Sequence, residues 1–94
     1  MIKKEVIFGE RYQLRYAAGR YWLLDMMQDE LSYKPPLSMN EVGADILKMI
    51  FQRMSTKEIA ELLSKEYDIL EESAKEDVIQ FRNELMRFGI TIEE

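Results

Sequence analysis

Cysteine and histidine are both absent from this chain of 94 residues. Without a thiol or an imidazole it can form no disulfide and no Cys- or His-ligated metal site. It also has no thiol nucleophile and no histidine base, so most common catalytic constellations are excluded. A carboxylate site for magnesium or calcium stays possible in principle, but the acidic residues lie scattered along helical stretches without the spacing of a ligand loop. Long apolar runs are missing too: none approaches the roughly 20 residues that span a bilayer. The opening MIKKEVIF sets two lysines and a glutamate ahead of any sustained apolar run, so it lacks the hydrophobic core of a signal peptide. Basic residues are outnumbered, 13 Lys and Arg against 18 Asp and Glu for a net charge of −5, which argues against nucleic acid as a partner. These exclusions define the expectation: one soluble, cytoplasmic domain over 1–94 with a small core, no catalytic residues, no metal, no cofactor and no membrane segment.

Proline is scarce and is concentrated in one place. Lys34-Pro35-Pro36 cannot be helical, and prolines lack a ladder donor, so a strand here must lie at an edge or begin after Pro36. Before that point the apolar residues come in short extended runs. Val6-Ile-Phe8 is β-prone, and Gly9-Glu10 interrupts it. Tyr12, Leu14 and Tyr16 then alternate with Arg11, Gln13 and Arg15, the period of two expected of a half-buried strand. Ala17-Ala-Gly19 reads as a turn, with Gly19 free to adopt positive φ. Residues 20–27 (RYWLLDMM) form a strand with two apolar faces, Tyr21 and Leu23 against Trp22, Leu24 and Met26. The second face needs its own cover: the N-terminal segment, the 28–36 connection, or a dimer or partner surface. Residues 28–33 read as a loop, and Leu37-Ser-Met39 as a short strand with an open outer edge.

After Met39 the periodicity becomes helical. Asn40 suits an N-cap, and Val42, Ile46, Met49 and Ile50 give a helix from about 41 to 52 or 53 one apolar face. Ser55-Thr-Lys-Glu58 has the form of a capping box for a second helix whose Ile59, Leu62, Leu63 and Tyr67 face inward. The intervening linker is short enough for a helix-turn-helix arrangement. A third helix is expected from about 72 to 88, with a second capping box at Ser73-Ala-Lys-Glu76. Its seam is Ala74, Val78, Phe81, Leu85 and Phe88. Gly89 marks its C-terminus, and Ile90 folds back on the last turn. The fold class expected is therefore α+β, winged helix-turn-helix-like, a three-stranded antiparallel sheet followed by three helices.

Taken together, Leu37-Ser-Met-Asn-Glu-Val-Gly-Ala44, the helix ending at Phe51, Ser55-Thr-Lys-Glu-Ile-Ala-Glu-Leu-Leu63, Glu66-Tyr67, and Asp77-Val-Ile-Gln-Phe81 through Leu85 to Gly89 resemble the PqqD-like family, which includes the RiPP recognition elements. The resemblance covers roughly residues 21–90. It implies a non-catalytic module that captures the leader segment of a ribosomally made precursor peptide and presents it to a modifying enzyme, such as a radical S-adenosylmethionine enzyme. Lacking cysteine, the chain cannot itself ligate that enzyme's iron–sulfur clusters. The resemblance further implies that the leader adds as a strand beside Leu37, Ser38 and Met39, with the third helix closing the groove. On that helix Ile79, Arg82 and Met86 form a second stripe, about 100° round from the seam. There the two apolar residues would grip leader aliphatics and Arg82 would pair with a leader carboxylate. The alternative for Ile79 and Met86 is a widened core face. Two other functions compete with peptide capture: a winged-helix DNA-binding protein, disfavoured by Glu71, Glu72, Glu76, Asp77 and Glu84 on the third helix, and a homodimeric adaptor joined through the 21–27 face.

Overall fold

A computed structural model describes residues 5–8, 11–27, 34–90 and 92. The elements run β1 (Glu5–Phe8), β2 (Tyr12–Ala17), β3 (Arg20–Asp25), β4 (Leu37–Met39), α1 (Glu41–Phe51), α2 (Thr56–Tyr67) and α3 (Glu71–Phe88). The α+β plan holds, with the antiparallel ladder β2-β3-β4 leading into three helices. The β-prone run at Val6-Ile-Phe8 joins that ladder as a further strand, giving the sheet order β1-β2-β3-β4. The chain divides into two compact units, 1–44 and 45–94, and the division falls inside α1.

In the first unit the hairpin β2-β3 is the centre of the sheet. Its register sets Leu14 opposite Leu23 and Tyr16 opposite Tyr21. Both leucines are fully buried, each contributing about 1.5–3 kcal/mol through removal of apolar surface from water. The two tyrosine rings meet edge to face at 4.9 Å. Ala18 and Gly19 form a two-residue turn with φ of 56° and 77°, the handedness that matches the twist of the flanking strands. Trp22 Nε1 donates to the Ala17 carbonyl at 2.9 Å across the base of that turn. The strand expected over 20–27 ends earlier, at Asp25. Met26 and Met27 form a turn and are exposed, because the Asp25 carboxylate takes the Met27 N–H and bends the chain out of the ladder. On the second face of β3, Trp22 and Leu24 are half-buried. Of the covers expected there, residues 1–4, 9–10 and the 28–33 loop lie outside the described residues.

α1 begins as the sequence indicates: Gly43 N–H donates to Asn40 Oδ1 at 2.9 Å. It ends at Phe51, where Met54 N–H reaches the Met49 carbonyl and Arg53 N–H the Ile50 carbonyl. This is a Schellman closure with Arg53 at φ 62°, a left-handed position that usually falls to glycine.

In the second unit, Ser55 Oγ accepts from Glu58 N–H at 3.1 Å and Glu58 Oε1 accepts from Ser55 N–H at 3.0 Å, completing the capping box of α2. Ile59, Ala60 and Leu63 are buried on α2. Leu62 is 47% exposed rather than inward, because it stands about 100° round the helix from Leu63. Tyr67 is half-buried and its hydroxyl donates to Asp45 Oδ2 at 2.8 Å.

α3 departs from expectation at its start. Its N-cap is Leu70, without a side-chain cap, and Ser73 lies inside the first turn. The second capping box therefore does not form. Glu71 and Glu72 favour the positive end of the helix dipole and carry the helix upstream of Ser73. Ala74, Val78, Phe81, Leu85 and Phe88 are all buried, as the seam requires. Gly89 closes the helix at φ 103°, and Ile90, buried, donates its N–H to the Leu85 carbonyl at 2.8 Å.

Candidate functional site

β4 lies at the end of the described sheet, paired on one side with β3 through Leu23↔Leu37, Trp22↔Ser38 and Tyr21↔Met39. Which of its backbone groups face outward follows from the ladder. In an antiparallel pair, opposite residues alternate between those that exchange hydrogen bonds and those whose N–H and C=O point away. Met26 N–H donates to the Arg11 carbonyl at 2.6 Å, one step beyond the Tyr12↔Asp25 pair. The even-numbered residues of β3 thus turn their backbone groups toward β2, and Tyr21 and Leu23 turn theirs toward β4. Leu37 and Met39 consequently bond to β3. Ser38 presents its N–H and C=O to the open edge. The Met39 side chain is buried, while Leu37 and Ser38 are half-buried. The three residues expected to offer an edge therefore divide into two that anchor it and one that displays it.

At the far end of β3 stands a buried carboxylate that the sequence marks only as a charge in an apolar strand. The Asp25 side chain has no exposed surface. Its Oδ1 accepts from Arg11 Nε, and its Oδ2 from Arg11 Nη2, each at 3.1 Å. Lys34 Nζ lies 3.2 Å from Oδ2, and Met27 N–H donates to Oδ1 at 3.1 Å. The Arg11 fork lowers the Asp25 pKa to about 2, outweighing the burial that would raise it, with Met27 and Lys34 adding to the effect. The Arg11 pKa is raised by the same pairing.

On α3, Ile79 is 46% and Met86 58% exposed, so neither is absorbed into the core seam. Between them Arg82 is half-buried and tied to its own unit. Nε donates to Thr56 Oγ1 at 3.0 Å, Nη2 to the Met54 carbonyl at 3.0 Å and Nη1 to the Ile92 carbonyl at 3.2 Å. This guanidinium braces the start of α2 and the segment after α3. Arg82 and Met86 also line an open depression of about 290 Å³ with Ile50, Leu85, Ile90 and Ile92. Apart from the guanidinium its lining is aliphatic and thioether, which suits one apolar side chain of a ligand. Ile50, Ile90 and Ile92 are not candidates from the sequence. Ile50 and Ile90 scan as core residues, and only the fold shows them sharing a rim with Met86. Among the described residues no three Asp or Glu groups come together as a metal site, and no helix is long and apolar enough to cross a membrane.

Among the described residues the fold is an α+β arrangement in which an antiparallel meander ending in β4 leads into three helices. Comparison with family models narrows this. Residues 33–90, more than half of the chain, match the model described as coenzyme PQQ synthesis protein D (PqqD), and the chain belongs to that family. Membership ties it to coenzyme PQQ synthesis as that description gives it. The match begins just ahead of Lys34 and takes in β4 and all three helices. No curated protein and no solved structure matches the chain closely enough for comparison.

Proposed function

We propose that the chain acts over 1–94 as one non-catalytic, winged-helix-like peptide-binding module. It captures the leader segment of a ribosomally made precursor peptide and presents the peptide to a modifying enzyme. The observation that carries this reading is the edge of β4, where Ser38 holds an N–H and a C=O outward at the end of the described sheet. A leader strand adds there by main-chain hydrogen bonds, and its side chains supply the specificity. The proposed side-chain contacts are Ile79 and Met86 on α3, where exposed apolar positions interrupt an otherwise polar face. The depression beside Met86 takes one leader aliphatic or aromatic residue. Arg82 holds the walls of that depression and sets a positive charge beside the bound peptide. Modification chemistry belongs to the partner enzyme, a radical S-adenosylmethionine enzyme or another peptide-modifying enzyme, since this chain has no cysteine to hold a cluster.

The test is an NMR titration of isotope-labelled protein with synthetic leader peptides of precursors encoded beside this chain. Shifts concentrated at residues 37–39 and 79–86 are expected from one and the same peptide. Ser38→Pro removes the outward donor, whereas Met39→Pro would remove a donor that faces β3 and break the sheet itself. A folded Ser38→Pro variant and a folded Met86→Asp variant that both keep full peptide affinity would remove the basis for this reading.

A further inference from the structure

The strand that displays the edge is short, with only three residues in the ladder. Continuing the β3–β4 register past Leu23↔Leu37 sets Asp25 opposite Pro35. By the alternation along β3, 25 and 35 would form the next hydrogen-bonded pair. Pro35 has no N–H to donate, so one of the two bonds of that rung, the one from residue 35 to the Asp25 carbonyl, cannot form. At the same place the buried Asp25 carboxylate receives Lys34 Nζ at 3.2 Å, and Lys34 is separated from β4 only by the two prolines.

We propose that the Asp25–Lys34 ion pair is a positioning clamp: it stands in for the backbone bond that Pro35 cannot donate and holds β4 against β3 with the Ser38 edge presented for strand addition. This rests on the strand-addition reading above. Asp25 is built for the task. Arg11 grips both of its oxygens from the start of β2, and the Met27 N–H fixes its orientation. The carboxylate is therefore held by Arg11 and by its own turn independently of Lys34. Lys34, with 28% of its side chain exposed, is the member that can leave while Asp25 keeps Arg11 and Met27. The prolines stiffen the short link from the clamp to β4, so the position of one is passed to the other. Asp25 and Lys34 touch no peptide here; they act through β4.

The experiment uses the full chain with Lys34→Met, which keeps an unbranched side chain one atom shorter and removes its charge, and Lys34→Arg as the conservative rescue. Amide hydrogen exchange is read at Leu37 and Met39, whose N–H groups face β3, against Gln13 and Arg15 in the β2–β3 ladder. Affinity is read with the synthetic leader peptide. In Lys34→Met, exchange at Leu37 and Met39 is expected to accelerate about fivefold with the β2–β3 amides unchanged, as loss of one partly exposed ion pair at a local opening predicts. Peptide affinity falls with it, and Lys34→Arg restores both. Unchanged exchange at Leu37 and Met39 overturns the clamp whatever the peptide does. Faster exchange with unchanged affinity also overturns it as a positioning device, provided Ser38→Pro abolishes binding. If Ser38→Pro binds normally as well, the failure belongs to the strand-addition reading and not to the clamp.

Discussion

The two units of this chain are held together by different physics. In residues 45–94 the caps and closures are local, and longer ties such as Arg82 to Met54 and Thr56 are added to them. The capping box at Ser55 and Glu58 spans one turn, the α3 seam recurs every three or four residues, and the glycine closure lies directly after the last helical residue. In residues 1–44 the ties are distant in sequence. Leu14 meets Leu23 across a hairpin, and Arg11 reaches Asp25 over 14 residues. Lys34 returns to the same carboxylate after the whole 28–33 connection. A helix satisfies its backbone within itself, whereas a strand depends on its neighbours for every rung. In the sheet unit several of the distant ties converge on one carboxylate, that of Asp25.

The largest effects are expected on truncation of the cores, which the two units share despite that contrast. Leu85→Ala on α3 and Leu23→Ala on β3 both remove fully buried methyl groups, and each is expected to cost about 2–5 kcal/mol in denaturant unfolding. Of comparable weight is the response of the first unit to acid. Asp25 has its pKa lowered from an ordinary 3.8 to about 2 in the folded chain. It therefore contributes stability that is fully present above 3.8 and is lost as the pH falls through about 2. The groups that face it are Arg11 and Lys34. The unfolding midpoint of the native chain should fall over this interval, while Asp25→Asn, already lacking the charge, should show a flatter profile there. Equal slopes for the two would mean that another carboxylate governs the acid limb.

Smaller effects sharpen the account of the helices. Ser55→Ala removes an N-cap that is made and should cost about 1 kcal/mol, whereas Ser73→Ala, inside the first turn of α3, should stay within about 0.5 kcal/mol of the native chain. The two serines look alike in sequence, each followed by a glutamate three residues later. Only the first is legible, because Ser-x-x-Glu identifies a cap only when the chain enters the helix there; Glu71 and Glu72 extend α3 past the second. Small changes of the opposite sign are expected at two of the three left-handed residues among the described ones that are not glycine, Ala18, Arg53 and Asp68. Arg53→Gly at the end of α1 and Ala18→Asn in the hairpin turn relieve unfavourable φ, and each should stabilise by about 0.5–1 kcal/mol in thermal melts. At neighbouring Gly19 a side-chain methyl would meet only open space, so the backbone φ of 77° alone opposes a substitution there.

The candidate site divides along the same line. Leu37, Ser38 and Met39 can be read as an edge because prolines precede them, yet the period of two shows which face a side chain takes and not which way a backbone N–H points. That direction comes from the register of β3 with β2, two strands away. Ile79 and Met86 are visible as apolar residues off the seam, and their exposure decides between a widened core and a free surface. Leu62 is misplaced for the converse reason: an apolar residue beside a seam is assigned inward by pattern alone.

By itself the sequence determined the presence of the three helices, the cap of α2, the seam of α3, the strand at β2 though not the exposure of its Tyr16, the positive φ at Gly19 and Gly89, and membership of the family, since all of these depend on residues close in the chain or on their order. The tertiary structure alone decided that β1 joins the sheet, that Ser38 rather than Met39 shows its backbone at the edge, that Arg82 braces its own unit, and that Asp25 gathers Arg11 and Lys34. Those facts depend on pairing between segments that the chain order leaves free, and an N–H or a carboxylate acquires its partner only when the fold brings the partner within about 3 Å.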